Sequence, residues 1–309
     1  MSLLIMERFG LAVPYERGWR TLVEQVDLTI GPGEAVGLVG ESGSGKSMTA
    51  RAIIGLTPPG ARMTGKVFFD GAEVPSGGAL RRLRAKRIAM IFQDPRAHIN
   101  PVRSVGDFLT EAMVHNLGMP VRQASARAVR LLHEVGITDG ERRLRQHPHE
   151  LSGGLLQRVM IASVLAVEPD LVLADEPTTA LDVTTQSEVM AILDELRRER
   201  GMAMLLITHD LELAAATCDR LAVMYAGRIV EDLDGPPRHP YTRGLMRSRP
   251  GLEEAVHRLP VIPGRPVAAF EAEAGCAFAP RCDLAEPRCH QTRPASTHGV
   301  ACLRVEEPA

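Results

Sequence analysis

Gly40-Glu41-Ser42-Gly43-Ser44-Gly45-Lys46-Ser47 fits the phosphate-binding pattern G-x-x-x-x-G-K-[ST], and it follows an apolar run, Ala35 to Val39, that reads as a buried strand. The stretch after it, Met48 to Ile54, is helix-forming. Strand, glycine loop and helix in that order form one rigid unit. The glycines let backbone N–H groups turn inward around phosphates, Lys46 brings a point charge to the β and γ groups, and the Ser47 hydroxyl suits Mg²⁺. The helix N-terminus aims its positive dipole end at the same phosphates. Gly40, Ser42, Gly43, Ser44, Gly45, Lys46, Ser47 and Met48 are thus the candidate contacts of a nucleoside triphosphate. A Gly/Ser linker is the ordinary alternative, but the four fixed positions would match by accident in roughly one chain of this length in a few hundred.

At 309 residues the chain has room for one large domain with an appendix. A formal charge of −2 gives no basic footprint for nucleic acid. No segment reaches the ~18 uninterrupted apolar residues of a membrane-spanning helix. Glu7 and Arg8 follow the short apolar start, with no long apolar stretch or small-residue cleavage site, so a cytosolic location and a bias against disulfides are expected.

Short apolar runs at Ala35 to Val39, Ile88 to Phe92, Leu171 to Ala174, Met204 to Ile207 and Leu221 to Met224 predict buried strands, several of them separated by amphipathic stretches. That alternation predicts an α/β layered fold with a largely parallel sheet. Between about Val105 and Val167 the pattern is helical: Asp107 to Asn116, Arg122 to Val135 and Leu155 to Val167. After Val230 prolines interrupt any long element, including Pro236, Pro237, Pro260, Pro263 and Pro266, which predicts an extended, poorly packed tail.

Five further motifs narrow the class. Leu151-Ser152-Gly153-Gly154 with Gln157-Arg158 would cap the helix that follows, and the same geometry makes an anion site of the Ser152 hydroxyl and the free N–H groups. Leu171 to Glu176 is an apolar strand ending in two carboxylates. Asp175 is placed to hold Mg²⁺, and Glu176, pointing the other way along an extended chain, to orient or deprotonate an attacking water. Ala180-Leu181-Asp182 and Thr208-His209-Asp210 follow, and Gln93 ends another apolar strand. Taken singly, an Asp-Glu pair is more often a solvated turn and a histidine more often an ordinary surface or core residue.

Together and in this order, these motifs resemble the signature, Walker B, D-loop, switch-histidine and Q-loop elements of the ATP-binding cassette (ABC) family. The resemblance implies a RecA-like phosphate-loop core with an antiparallel β subdomain and a helical subdomain. It assigns the core to residues 1–93 and 168–232, the helical signature subdomain to 94–167, and a C-terminal extension to 233–309. It also implies ATP with Mg²⁺ held through Ser47, Gln93 and Asp175, and catalytic roles for Glu176, His209 and Gln93. In the family Ser152, Gly153, Gly154, Gln157 and Asp182 serve the second half of a sandwiched nucleotide, so the resemblance implies a head-to-tail dimer with an identical or related subunit. Tyr15 is the best positional match for the aromatic that stacks on adenine, with Trp19 in reserve and core packing as the ordinary role of both. Leu155 and Leu156 stand where close relatives tend to have glutamines, and His98 where they have a small hydroxyl residue.

Phe92-Gln93-Asp94-Pro95, Asn100-Pro101 and His239-Pro240-Tyr241-Thr242 resemble the dipeptide, oligopeptide and nickel branch of ABC importers. That branch implies two membrane permease subunits, an extracytoplasmic substrate-binding protein, no nucleic acid, and a place on the cytoplasmic face of the membrane. Residues 94 to 104 are assigned by analogy to the contact with a membrane subunit. Nickel or metal-chelate uptake is the near alternative. Non-transport cassette ATPases acting on nucleic acid or ribosomes, and phosphoryl transfer to a small molecule, are the distant ones.

Cys276, Cys282, Cys289 and Cys302 fall in the last 34 residues with 5, 6 and 12 residues between successive members, while Cys218 stands alone in a probable helix and reads as a small buried residue. The late four sit in a stretch too poor in apolar periodicity to fold by burial alone, so a metal centre is expected to cross-link them. Their spacing suits zinc and an iron–sulfur cluster about equally. The family resemblance tips the expectation to a 4Fe-4S cluster, with Zn²⁺ as the alternative.

Overall fold

The strand ahead of the glycine loop runs from Ala35 to Val39 with all five residues buried, as a continuous apolar run in a sheet covered on both faces requires. The computed structural model describes residues 2–178, 181–248, 261–272 and 274–305; Ala180 of the expected D-loop and Pro260 lie outside them. The described strands are β1 (Leu4–Tyr15), β2 (Gly18–Ile30), β3 (Ala35–Val39), β4 (Arg62–Phe69), β5 (Ala72–Glu73), β6 (Ile88–Ile91), β7 (Leu171–Asp175), β8 (Ala203–Thr208), β9 (Arg220–Tyr225) and β10 (Arg228–Leu233). The chain divides into two compact units, one holding residues 30–35 and 75–206, the other 2–29, 36–74 and 207–309.

In the first unit β6 and β7 pair in parallel, Ile88 opposite Leu171 through Ile91 opposite Ala174, and β7 is followed in the sheet order by β8. Three helices pack together beside them: Val105–His115, Val121–Glu134 and Gly153–Leu165. Each of the first two has one buried stripe, Val105, Leu109 and Met113 in one and Ala124, Ala128, Leu131 and Leu132 in the other, at helical spacing. Ser104 and Asp107 close a reciprocal cap at the first. Leu156 is wholly buried, so the leucine in place of glutamine packs a helix core and presents nothing to solvent.

In the second unit the order β10-β9-β3 carries β3 and β9 in parallel and β9 and β10 antiparallel. A separate four-stranded sheet, β2-β1-β4-β5, has antiparallel β1–β4 and β4–β5 pairs. A bulge between Glu7 and Gly10 shifts its register, with Arg8 at φ +43°. Gly65 lies against the bulge, where a Cβ would stand 2.3 Å from the Arg8 carbonyl oxygen.

The tail differs from the sequence expectation. Tyr241 in the helix Pro240–Arg247 is fully buried, and Tyr225, Tyr241 and Phe278 form one aromatic cluster with centroids 4.6 to 5.4 Å apart. Prolines broke the periodicity without removing the apolar anchors. The chain end returns to β10: Asp232 donates to the Gly299 carbonyl and Ala301 to that of Val230. Cys218 caps the end of the helix Leu211–Thr217 and is half-buried.

Candidate functional site

The glycine loop is shaped by what its neighbours forbid. At Gly40, φ is +154° and a Cβ would lie 2.1 Å from the Met224 carbonyl oxygen; at Gly45, φ is +107° and a Cβ would lie 2.9 Å from that of Leu22. Only glycine lets the loop sit this close to the backbone beneath it. Gly45 also precedes the helix Lys46–Ile53 as an N-cap that brings no side-chain hydrogen bond of its own to the helix start. Lys46 is 4% exposed and spans the loop, its Nζ donating to the carbonyls of Gly40 at 2.8 Å and Glu41 at 2.9 Å. Ser44 is buried and its carbonyl accepts from Gly227 at 2.8 Å. Ser42 and Gly43 are exposed at the tip, and Ser47 and Met48 are half-buried on the helix.

Glu41 is held at three points. Its N–H donates to the Tyr241 hydroxyl at 2.8 Å, its carbonyl accepts from Lys46, and its carboxylate takes the Arg281 guanidinium as a fork, 2.6 Å from Nη1 to Oε2 and 3.0 Å from Nη2 to Oε1. Burial alone would depress the pKa of Arg281, but Glu41 and Tyr225 outweigh it and hold the pKa above its ordinary value. Sequence reasoning passed over Glu41 and Arg281; the only signal was an acidic residue at a free position of the loop pattern.

Also in the second unit, Tyr15 is 46% exposed, with the Arg20 guanidinium 3.5 Å from its ring centroid. The same guanidinium lies 4.0 Å from the Phe270 ring. Trp19 is covered by Arg62 at 4.0 Å. His209 is exposed on a short loop that Asp210 pins by accepting from the N–H groups of Glu212 and Leu213 at 3.0 and 3.1 Å.

In the first unit, Asp175 is fully buried at the end of β7. Glu176 follows at φ +45°, a left-handed conformation that costs a non-glycine residue roughly 1–3 kcal/mol and turns its side chain out of the strand line. Its Oε2 accepts from Gln93 Nε2 at 2.9 Å, which joins two of the three expected catalytic residues. Ser152 is exposed and caps the helix Gly153–Leu165, its Oγ accepting from Leu155 at 3.4 Å. Gly154 would place a Cβ 2.9 Å from Thr185 Cγ2. Gln157 does not share the exposure of the motif: it is 2% exposed, and its Nε2 has no acceptor among the described residues. Asp182 caps the helix Val183–Arg200, accepting from Thr185 N and Oγ1 at 3.0 and 2.8 Å, and these bonds hold its carboxyl below the usual range.

Cys276, Cys282, Cys289 and Cys302 line one small pocket together with His239 and Phe278. Cys276 N donates to the Cys289 carbonyl at 2.7 Å, across a turn where a Cβ on Gly275 would lie 2.4 Å from the His290 backbone. All four thiols are free. Burial raises Cys276 and Cys282, with neighbouring cysteines adding to the effect. Burial brings His239 down to about 4, so the ring is neutral. The expected metal centre is not found, however. Among the described residues no three His, Cys, Asp or Glu side chains form a group that could hold a metal ion. Four residues facing one cavity is a weaker condition than four sulfurs at ligating distance.

Comparison with known proteins places these features. Residues 23–179 match the family described as "ABC transporter", and residues 230–289 match "Oligopeptide/dipeptide transporter, C-terminal region". A peptide import ATP-binding protein of Brucella melitensis is 44% identical over 339 residues, covering 99% of this chain and 98% of that protein. The oligopeptide transport ATP-binding protein OppD of Salmonella typhimurium is 42% identical over 292 residues, covering 92% and 87%. Among solved structures, the ATP-binding cassette MJ0796, a post-hydrolysis dimer bound to ADP and Pi, aligns with a TM-score of 0.67 at 27% identity, covering 74% of this chain and 97% of that one. The chain thus belongs to the ABC transporter family, in its oligopeptide and dipeptide transporter branch.

Proposed function

We propose that this chain is the ATP-hydrolysing subunit of an importer for di- and oligopeptides, docked on the cytoplasmic face of two membrane permease subunits that receive cargo from a substrate-binding protein. The observation that carries the reading is the glycine loop bridged by Lys46, in a chain whose C-terminal part matches the peptide-transporter region. The relatives' names speak for peptide rather than nickel. No helix of the described residues is long and apolar enough to cross a membrane, in keeping with a separate permease.

In this reading residues 94–167 form the helical subdomain and 233–309 the extension. Lys46 and the N–H groups from Gly43 to Met48 hold the phosphates, and Tyr15 stacks on the base. Ser47, Gln93 and Asp175 are the residues that would hold Mg²⁺, whose charge offsets that of the phosphates. Glu176 takes the proton of the attacking water, Gln93 orients Glu176, and His209 contacts the γ-phosphate. Ser152, Gly153, Gly154 and Asp182 serve a nucleotide held by a partner subunit, which makes each pocket composite; Gln157 supports that loop from inside.

The test is dilution. Specific ATPase activity should rise with protein concentration, and Ser152→Arg, which sets a bulky cation on the capped helix end, should lower it by at least tenfold while the nucleotide still binds. Activity independent of both would overturn the composite pocket.

We propose also that the four late cysteines hold a 4Fe-4S cluster, with Zn²⁺ as the alternative. Their convergence on one pocket fits the donor set, and the group would cross-link the segments that carry the four cysteines. Anaerobically purified protein should contain about four irons per chain and absorb broadly near 400 nm, and Cys289→Ser should lose both. Stoichiometric zinc without iron would overturn the cluster.

A further inference from the structure

Arg281 and Glu41 are separated by 240 residues in sequence, yet their pairing is among the most specific contacts in the second unit. Arg281 is 6% exposed. Besides its fork on Glu41, it donates from Nε to the Pro263 carbonyl at 2.8 Å and from Nη1 to the Tyr225 hydroxyl at 3.4 Å. The guanidinium therefore has no freedom to swing away from the glycine loop. On the other side, Glu41 passes that restraint to the backbone. Its carbonyl is one of the two that Lys46 Nζ bridges, and it also accepts from Ser44 N at 3.3 Å. Tyr241, buried in the aromatic cluster beneath, fixes the Glu41 N–H. A loop so tied keeps its shape before ligand arrives, and a preshaped site binds more tightly because less order must be imposed on binding.

A second contact points the same way. Phe270, also from the C-terminal region, backs the Arg20 guanidinium that lies on Tyr15. Both ends of the expected nucleotide half-site, phosphate loop and base-stacking ring, thus lean on residues beyond position 260.

We infer that Arg281 is a positioning residue of the nucleotide site: it fixes Glu41, and through Glu41 the loop spanned by Lys46, so that affinity for ATP is set in part by the C-terminal region. The inference rests on the nucleotide reading above. It differs from a mere staple holding the tail in place, because a staple would alter the melting temperature and leave ATP affinity alone.

The experiment is equilibrium titration of the full-length chain with a fluorescent trinitrophenyl ATP, alongside a melting curve for each variant. Glu41→Gln and Arg281→Met should each raise Kd about tenfold, the double variant should also sit near tenfold, and Arg281→Lys, which can still reach one carboxylate oxygen, should recover part of the loss. A Glu41→Gln chain with the Kd of the wild type would overturn the inference, as would a double variant near a hundredfold, which would make the two residues independent. Should Arg281→Met fail to fold, Glu41→Gln decides alone, since it is the smaller change and keeps the side chain's size in its half-buried place. A wild-type chain that binds no ATP would instead remove the nucleotide reading and this inference with it.

Discussion

Replacing Glu176 by glutamine is expected to lower ATP turnover by about 10²- to 10⁴-fold, the usual worth of a positioned general base, while ATP binding is retained. The geometry makes this substitution unusually clean. Gln93 Nε2 donates to Glu176 Oε2 at 2.9 Å, and a glutamine keeps an oxygen there to accept the same bond. The left-handed backbone at position 176 is unaffected by the exchange, since neither residue is β-branched. What is lost is the ability to take a proton. With hydrolysis blocked and binding intact, the ATP-bound pair of subunits should persist. Size-exclusion chromatography with and without ATP reads that directly, and turnover within threefold of wild type would remove Glu176 from the chemical step.

Lys46→Ala should act earlier. Its Nζ donates to two loop carbonyls, Gly40 at 2.8 Å and Glu41 at 2.9 Å, from a position almost closed to solvent. The substitution removes the charge meant for the β and γ phosphates and at the same time leaves those carbonyls without their donor. A charge-assisted hydrogen bond contributes about 1.5–3 kcal/mol, so ATP affinity should fall by about 10²-fold, with turnover undetectable at ordinary ATP concentrations. Isothermal titration separates this from the Glu176 result: one variant keeps its affinity and does not turn over, the other loses affinity itself. An unchanged Kd would remove Lys46 from the phosphate site.

The strands that the sequence made plain are those whose apolar runs are unbroken and buried on both faces, β3, β6, β7, β8 and β9, and each lies within a residue or two of its expected bounds. β1 and β2 were not legible as runs. In β1 the burial alternates irregularly because the bulge between Glu7 and Gly10 shifts the register, whereas the end of β2 keeps a twofold pattern, Val26, Leu28 and Ile30 buried and Asp27 and Thr29 exposed, which a reading of continuous apolar runs passes over. The tail misled for a different reason. Tyr225 closes the apolar strand β9, but Tyr241 and Phe278 stand in short stretches broken by prolines and polar residues, and only the folded chain shows the three as one cluster. Motif positions fared better, because a loop pattern such as Gly40 to Ser47 is itself a statement of backbone geometry. The Glu41–Arg281 pair had no such local signature.

Tyr15 carries a cation on one side already. If Tyr15 stacks on the base as proposed, an incoming purine would have a single shelf to rest on, and Arg20 behind it would draw electron density out of the phenol, easing the repulsion between two electron-rich rings. Such a shelf feels flatness and polarisability rather than the pattern of amino and keto groups, so the base would be gripped without being read, and adenine would have little advantage there over guanine.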